Sequence, residues 1–176
     1  MMRFLIMLLL FAQNNKPEIR LPDLEQRVHQ LINVQRQANN REALAWDEAL
    51  ANLARAHSED MAKRGYFKHV NPEGLSPMKR AEAAGYKLCQ LIGENIYQNN
   101  LYSRVITEKK RTTYDWNSMD KIAATTIKGW MDSPSHRQNI LDKNYTREAV
   151  GLAIGDDDKI YVTQMFCGTE AESQVK

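Results

Sequence analysis

The hydrophobic period changes once along this chain, and that change limits the folds open to it. Up to about residue 141, apolar residues recur at helical spacing in segments punctuated by proline and glycine; beyond it they alternate. Leu24, Val28, Leu31, Ile32 and Gln35 form one stripe of a helix that starts near Asp23 and ends by Asn39-Asn40. A second helix follows Trp46, with Asp47 as N-cap, Gly65 as C-cap, and Leu50, Leu53, Ala54, His57 and Met61 on one face. Ser76-Pro77 opens a short helix through Ala84, closed by Gly85. Ser118 caps the clearest helix, whose stripe is Met119, Ile122, Ala123, Thr126, Ile127 and Trp130; Ser133-Pro134 opens another through about Leu141. Val150, Leu152 and Ile154 then alternate with small residues. Gly155-Asp156-Asp157-Asp158 makes a turn, and residues 160–166 are rich in β-formers, so the end of the chain reads as an antiparallel hairpin. Helices followed by a small antiparallel sheet give an α+β class, with helices on one or both faces of the sheet. Residues 98–118 lose any period and are expected to be a long loop.

The N-terminus constrains location. Met1-Met2-Arg3 precedes nine apolar residues, 4–12, and then polar Gln13-Asn14-Asn15. As a helix this run spans about 14 Å, too short for a bilayer and suited to the core of a secretory leader. Residues 1–22 are therefore read as signal peptide or leader plus Pro17/Pro22 linker, with an uncleaved anchor or a buried N-terminal element as the alternatives, 23–168 as the domain and 169–176 as a polar tail. No later segment is long enough to cross a membrane, and the expected location is secreted or in the cell envelope, as a monomer. Cys89 and Cys167 are the only cysteines, so one disulfide is permitted, with two buried free thiols as the alternative. A net charge of +2 excludes a broad phosphate-binding surface, and nucleic acid is not expected as a partner. Lys109-Lys110-Arg111 is the one basic run and reads as a solvated loop, with a site for an anionic partner as the alternative.

Chemistry has few places to sit. His29 lies on a charged helix face and reads as solvated, whereas His57 shares the apolar face of its helix and reads as a buried, hydrogen-bonded histidine. His69 leaves a helix into the turn Val70-Asn71-Pro72-Glu73-Gly74, and His136 occupies the first turn of a short helix, whose positive end favours neutral imidazole. Glu94, within Gly93-Glu94-Asn95, is the best carboxylate partner, the glycine letting the chain turn so that the side chain points into a cleft. Two histidines and a carboxylate could hold Zn²⁺ or another divalent cation with an open position. Spacing supports this weakly, because no H-E-x-x-H is present; the absence of G-x-S-x-G, P-loop and G-x-G-x-x-G removes the most recognisable hydrolase and nucleotide routes, and no organic cofactor is expected. Trp130 reads as core, Ser133 and Ser135 as capping residues, and Asn95 as a support for the Glu94 loop.

At these residues the chain resembles the CAP superfamily (cysteine-rich secretory proteins, antigen 5, pathogenesis-related 1), in its prokaryotic SCP-like branch. The matching stretches are LAWDEALANLARAHSEDMAKRGYFKHVNPEG, IGENIY, GWMDSPSHRQNIL, AVGLAIG and YVTQMFC, in the family's order over about residues 25–168. The resemblance implies a three-layer α-β-α sandwich with a small, mainly antiparallel central sheet. It also implies secretion and a cleft lined by two histidines and two acidic residues. By motif these are His69, Glu94 and His136, with His57 and Asn95 as accessory candidates. Where eukaryotic members have a second glutamate, three residues after the tryptophan, this chain has Ser133, with Asp132 adjacent, so the acidic pair is incomplete. The family consists mostly of binding modules, which implies a non-enzymatic domain taking a small molecule, a lipid or an extracellular protein. The rival reading is a metal-dependent, peptidase-like hydrolase using zinc-activated water in the same cleft.

Overall fold

The computed structural model describes residues 16–109 and 111–168; the apolar run 4–12 and the tail 169–176 lie outside them. In chain order the elements are α1 (Leu21–Ala38), β1 (Ala45–Trp46), α2 (Glu48–Arg64), α3 (Pro77–Ala83), β2 (Leu91–Asn100), β3 (Tyr102–Glu108), β4 (Arg111–Trp116), α4 (Met119–Asp132), α5 (Pro134–Leu141), β5 (Tyr145–Ile154) and β6 (Lys159–Gly168). Most of the expected caps form. Asp47 accepts from the amides of Ala49 and Leu50, Ser76 from Lys79 and Ser118 from Lys121, and Gly65 closes α2 at φ 68°. Ser133 opens α5 by its backbone alone, without a side-chain cap.

The main sheet runs β1-β5-β6-β2, antiparallel throughout except for β1 against β5. Strand alternation splits it into two cores. Val150, Leu152, Ile160, Val162 and Phe166 face α1, α4 and α5, where they meet Leu24, Val28, Ile32, Ile122, Trp130 and Ile140. Ala149, Met165 and Cys167 face the other way, against Leu50, Ala51 and Ala54 of α2. Helices thus cover both faces, the α-β-α sandwich the resemblance implied. Gly151 lets α2 lie close to the sheet, since a Cβ there would collide with the Arg55 amide nitrogen. Trp130 is fully buried and donates its indole N–H to the Ile96 carbonyl at 3.1 Å, pinning α4 to β2.

Two buried charged side chains, Glu25 and Arg36, close gaps that the strands leave. β1 is two residues long, so β5 runs on past it with an open edge, and the Glu25 carboxylate accepts the Leu152 amide there at 3.2 Å while held by Arg55 at 2.8 Å. Arg36 donates to the carbonyls of Glu42, Ile140 and Asp142 at 2.7–2.9 Å, satisfying the C-terminal end of α5. His29 corrects the sequence reading. It is mostly buried, and its Nδ1 bonds the Glu148 carboxylate, a partner 119 residues away that no local pattern reveals.

The expected loop over 98–118 is corrected as well. β2 continues to Asn100, and β3 and β4 pair as a separate two-stranded antiparallel ribbon. Its alternation carries Thr, Tyr and charged residues in place of core apolars, because most of the ribbon is exposed; that hid it from a hydrophobic-period reading.

Cys89 and Cys167 form a disulfide joining the lead into β2 to the end of β6. It closes a separation of 78 residues, for which loop entropy gives roughly 4 kcal/mol. Cys89→Ser/Cys167→Ser should lower unfolding stability by about 2–4 kcal/mol in urea titration; a loss under about 1 kcal/mol would show that the bridge constrains little.

Candidate functional site

Glu94 sits on the β2 face that looks towards α2, between the inward-facing Ile92 and Ile96. Its side chain is 1 % exposed. A carboxylate so deep must be paired to remain ionised. Arg80 of α3 bonds Oε2, and His69 Nδ1 donates to Oε1 at 2.8 Å. His57 Nε2 lies 4.0 Å from the same Oε1. Arg80 also donates to the His69 carbonyl at 2.6 Å and the Leu75 carbonyl at 3.3 Å, so one guanidinium fixes both the carboxylate and the turn that carries the histidine. Glycine at 93 is not there for a turn, because β2 is regular at that point. Its missing side chain makes room for Tyr145, whose hydroxyl would overlap a Cβ.

Asn95, one residue on, faces the opposite layer. Its amide donates to the His136 carbonyl and to Gln164 Oε1, both at 3.1 Å, and its carbonyl accepts from Asn139 at 2.9 Å. Gln164 in turn donates to Glu148 at 3.2 Å, so a buried polar chain crosses from β2 through β6 to β5 and on to His29 in α1. Consecutive residues of one strand thus bond His69 and the His136 backbone from opposite sides of the sheet. β2 is an edge strand, so the layers meet around it: Asn139 of α5 reaches the Glu94 carbonyl at 3.3 Å, and His69 bears electrostatically on His136.

The imidazoles of His69 and His136, the two expected from sequence, differ. His69 is 47 % exposed and, with Nδ1–H given to Glu94, presents Nε2 outward. His136 is half-buried, and burial first, then the nearby His69, hold its pKa below the ordinary value. His57 is buried as expected and gives its Nε2 proton to the Lys68 carbonyl at 3.0 Å; Nδ1 has no hydrogen-bond partner among the described residues. Burial lowers its pKa against the pull of Glu94, and Arg80 adds to the lowering. Asp132 pairs with Lys128, and Ser133 lies 3.4 Å from Ser135 through their hydroxyls, so neither replaces the missing acid beside Glu94. Behind Glu94, an open pocket of about 470 Å³ is lined by His57, Asp60, Asn71, Leu75 and Arg80.

A three-ligand metal set does not fit this arrangement. Among the described residues no group of three or more His, Cys, Asp or Glu side chains is placed to hold an ion, and both Glu94 oxygens are engaged. The carboxylate acts on His69 as an orienting partner, leaving two imidazoles as donors. Arg80 was missed from sequence. The available signal was indirect: alternation places Glu94 between Ile92 and Ile96, and a carboxylate there needs a cation.

Residues 29–166 match the model of the CAP family, the cysteine-rich secretory protein family, and the chain belongs to it. It is 32 % identical over 144 residues to the uncharacterized protein YkwD of Bacillus subtilis (strain 168), covering 82 % of this chain and 47 % of that one. An extracellular SCP-domain protein from Bacillus anthracis superposes with TM-score 0.63 at 27 % identity, covering 88 % of this chain and 45 % of the other. An outer surface protein from Borrelia burgdorferi shares the fold alone, with TM-score 0.66 at 15 % identity, covering 88 % and 98 %. The chain spans about half the length of YkwD.

The Glu94 cluster can be tested through stability. Arg80→Ala strands a buried carboxylate and should cost about 3 kcal/mol or more; adding Glu94→Gln should restore part of that, read by urea unfolding. A single variant as stable as the parent would show that the Arg80 pairing does not support Glu94 in its buried position. His57 and His136 are held neutral in the fold, so below about pH 6.5 the unfolded chain takes up protons that the folded chain refuses. Their contribution is complete above that pH and declines as pH falls through the window beneath it. Tm should therefore fall between about pH 6.5 and 5, and more shallowly in His57→Gln.

Proposed function

We propose that this chain is an exported CAP domain that acts by binding and not by catalysis, with the cleft between His69 and His136 as its recognition site. The carrying observation is the state of Glu94. Its two oxygens are taken by Arg80 and His69, so it cannot serve as the free general base that attack by water requires. It orients His69 instead, and the cleft offers a partner two imidazole edges on a rigid mount. Such a pair accepts hydrogen bonds from a partner's donors, or shares a divalent cation such as Zn²⁺ whose remaining positions go to water or to the partner. Export is supported by the short apolar run 4–12 behind Arg3, by the disulfide, and by relatives described as extracellular or outer-surface proteins.

Zinc is the probe that tests the cleft. Calorimetric titration of the full chain should show weak uptake that disappears in His69→Ala and in His136→Ala, with no hydrolysis of fluorogenic peptides at any zinc level. Equal uptake by the variants would move the site elsewhere. Zinc-dependent turnover that Glu94→Ala abolishes in a folded protein would establish the hydrolase instead.

A further inference from the structure

The pocket behind Glu94 is separate from the cleft, since neither His69 nor His136 lines it. Helix α2 supplies one wall, α3 another, and the turn over residues 71–75 the third. Leu53, Ala56, Leu75, Ala83 and Ala84 make much of the lining apolar. Its charges are already compensated, Arg80 by Glu94, and Asp60 and Glu73 by Arg64. A volume of about 470 Å³ is in the range of small-molecule sites, which are apolar cavities with a few polar groups set into them. With no uncompensated charge in the lining, the pocket suits a neutral molecule better than an ion.

Two of its polar side chains carry an atom without a partner. The His57 side chain is 0 % exposed and gives its Nε2 proton to the Lys68 carbonyl at 3.0 Å. Burial keeps the ring neutral, so Nδ1 is a bare acceptor. Arg80 spends its terminal nitrogens on Glu94 and on the His69 and Leu75 carbonyls, which leaves Nε–H as a donor. Both atoms are buried, and neither has a hydrogen-bond partner among the described residues. Buried polar atoms are costly to leave alone, and each one calls for an explanation. The two side chains are neighbours: both bear on Glu94, and Arg80 acts electrostatically on His57. An acceptor and a donor in one pocket match a group that donates and accepts through a single atom, and a hydroxyl is such a group.

We propose that this pocket binds a neutral, largely apolar molecule bearing a hydroxyl, whose oxygen accepts from Arg80 Nε–H and donates to His57 Nδ1. The apolar walls take the body of the molecule, and the ion pairs of Arg80 and Arg64 stay in place. This reading is independent of what the cleft binds.

The test is an NMR titration of the full chain with phenol, anisole and toluene. The three share one ring; the first donates and accepts, the second only accepts, and the third does neither. Phenol should bind in the millimolar range and move the amide signals of Leu75 and Ala83 together with the His57 Nδ1 nitrogen. Toluene should bind roughly 10-fold more weakly and leave Nδ1 unmoved, with anisole between them. Ala83 is exposed at the pocket rim, so Ala83→Leu should fill the space and abolish the phenol shifts with an unchanged thermal melt. His57→Phe should erase the preference for phenol over toluene; should it not fold, Ala83→Leu and the Nδ1 signal still decide. Three results would overturn the proposal: toluene binding as tightly as phenol, phenol shifts that survive Ala83→Leu, or a His57 Nδ1 signal that no probe moves, which would mean that water already satisfies it.

Discussion

A single carboxylate, Glu94, sets the terms for one end of this molecule. At 1 % exposure on the inner face of β2 it is tolerable only because Arg80 and His69 complete its hydrogen bonds. That requirement draws α3 towards the sheet edge, fixes the turn after α2 through the His69 and Leu75 carbonyls, and aims the His69 ring outward. The position of the His69 ring is thus a consequence of satisfying one buried carboxylate. The same satisfaction occupies both carboxylate oxygens, one with Arg80 and the other with His69.

On the opposite side of β2 the logic is repeated, mainly with neutral groups. Asn95, Gln164, Glu148 and His29 form a buried polar chain across three strands, and Asn95 holds α5 by the His136 carbonyl and Asn139. An edge strand is where both layers can reach one another, and adjacent residues of a strand point to opposite faces. The pair Glu94-Asn95 exploits both facts to bring together side chains from separate helical layers.

Local rules made most of the architecture legible in the sequence. Asp47, Ser76 and Ser118 cap helices where their spacing placed them, Gly65 ends α2, and the alternation after residue 145 marked the β5–β6 hairpin. The family motifs pointed to His69, Glu94 and His136 as cleft residues, and β2 brings their segments together. What stayed hidden depended on distant partners. Nothing near His29 announces Glu148, and nothing near Glu94 announces Arg80. The ribbon escaped notice because its strands face solvent and so lack the apolar alternation by which buried strands are recognised. Gly93 was misread for a related reason: its role is space for Tyr145, which comes from another strand.

If Glu94 works as the orienting partner of His69, the imidazole tautomer reports it. Long-range ¹H–¹⁵N correlation spectra above about pH 8, where a free imidazole is neutral, should show His69 protonated at Nδ1, with Nε2 bare. Glu94→Gln should release that preference. A His69 ring protonated at Nε2 in the native protein, or one indifferent to the substitution, would mean that the carboxylate does not set the cleft.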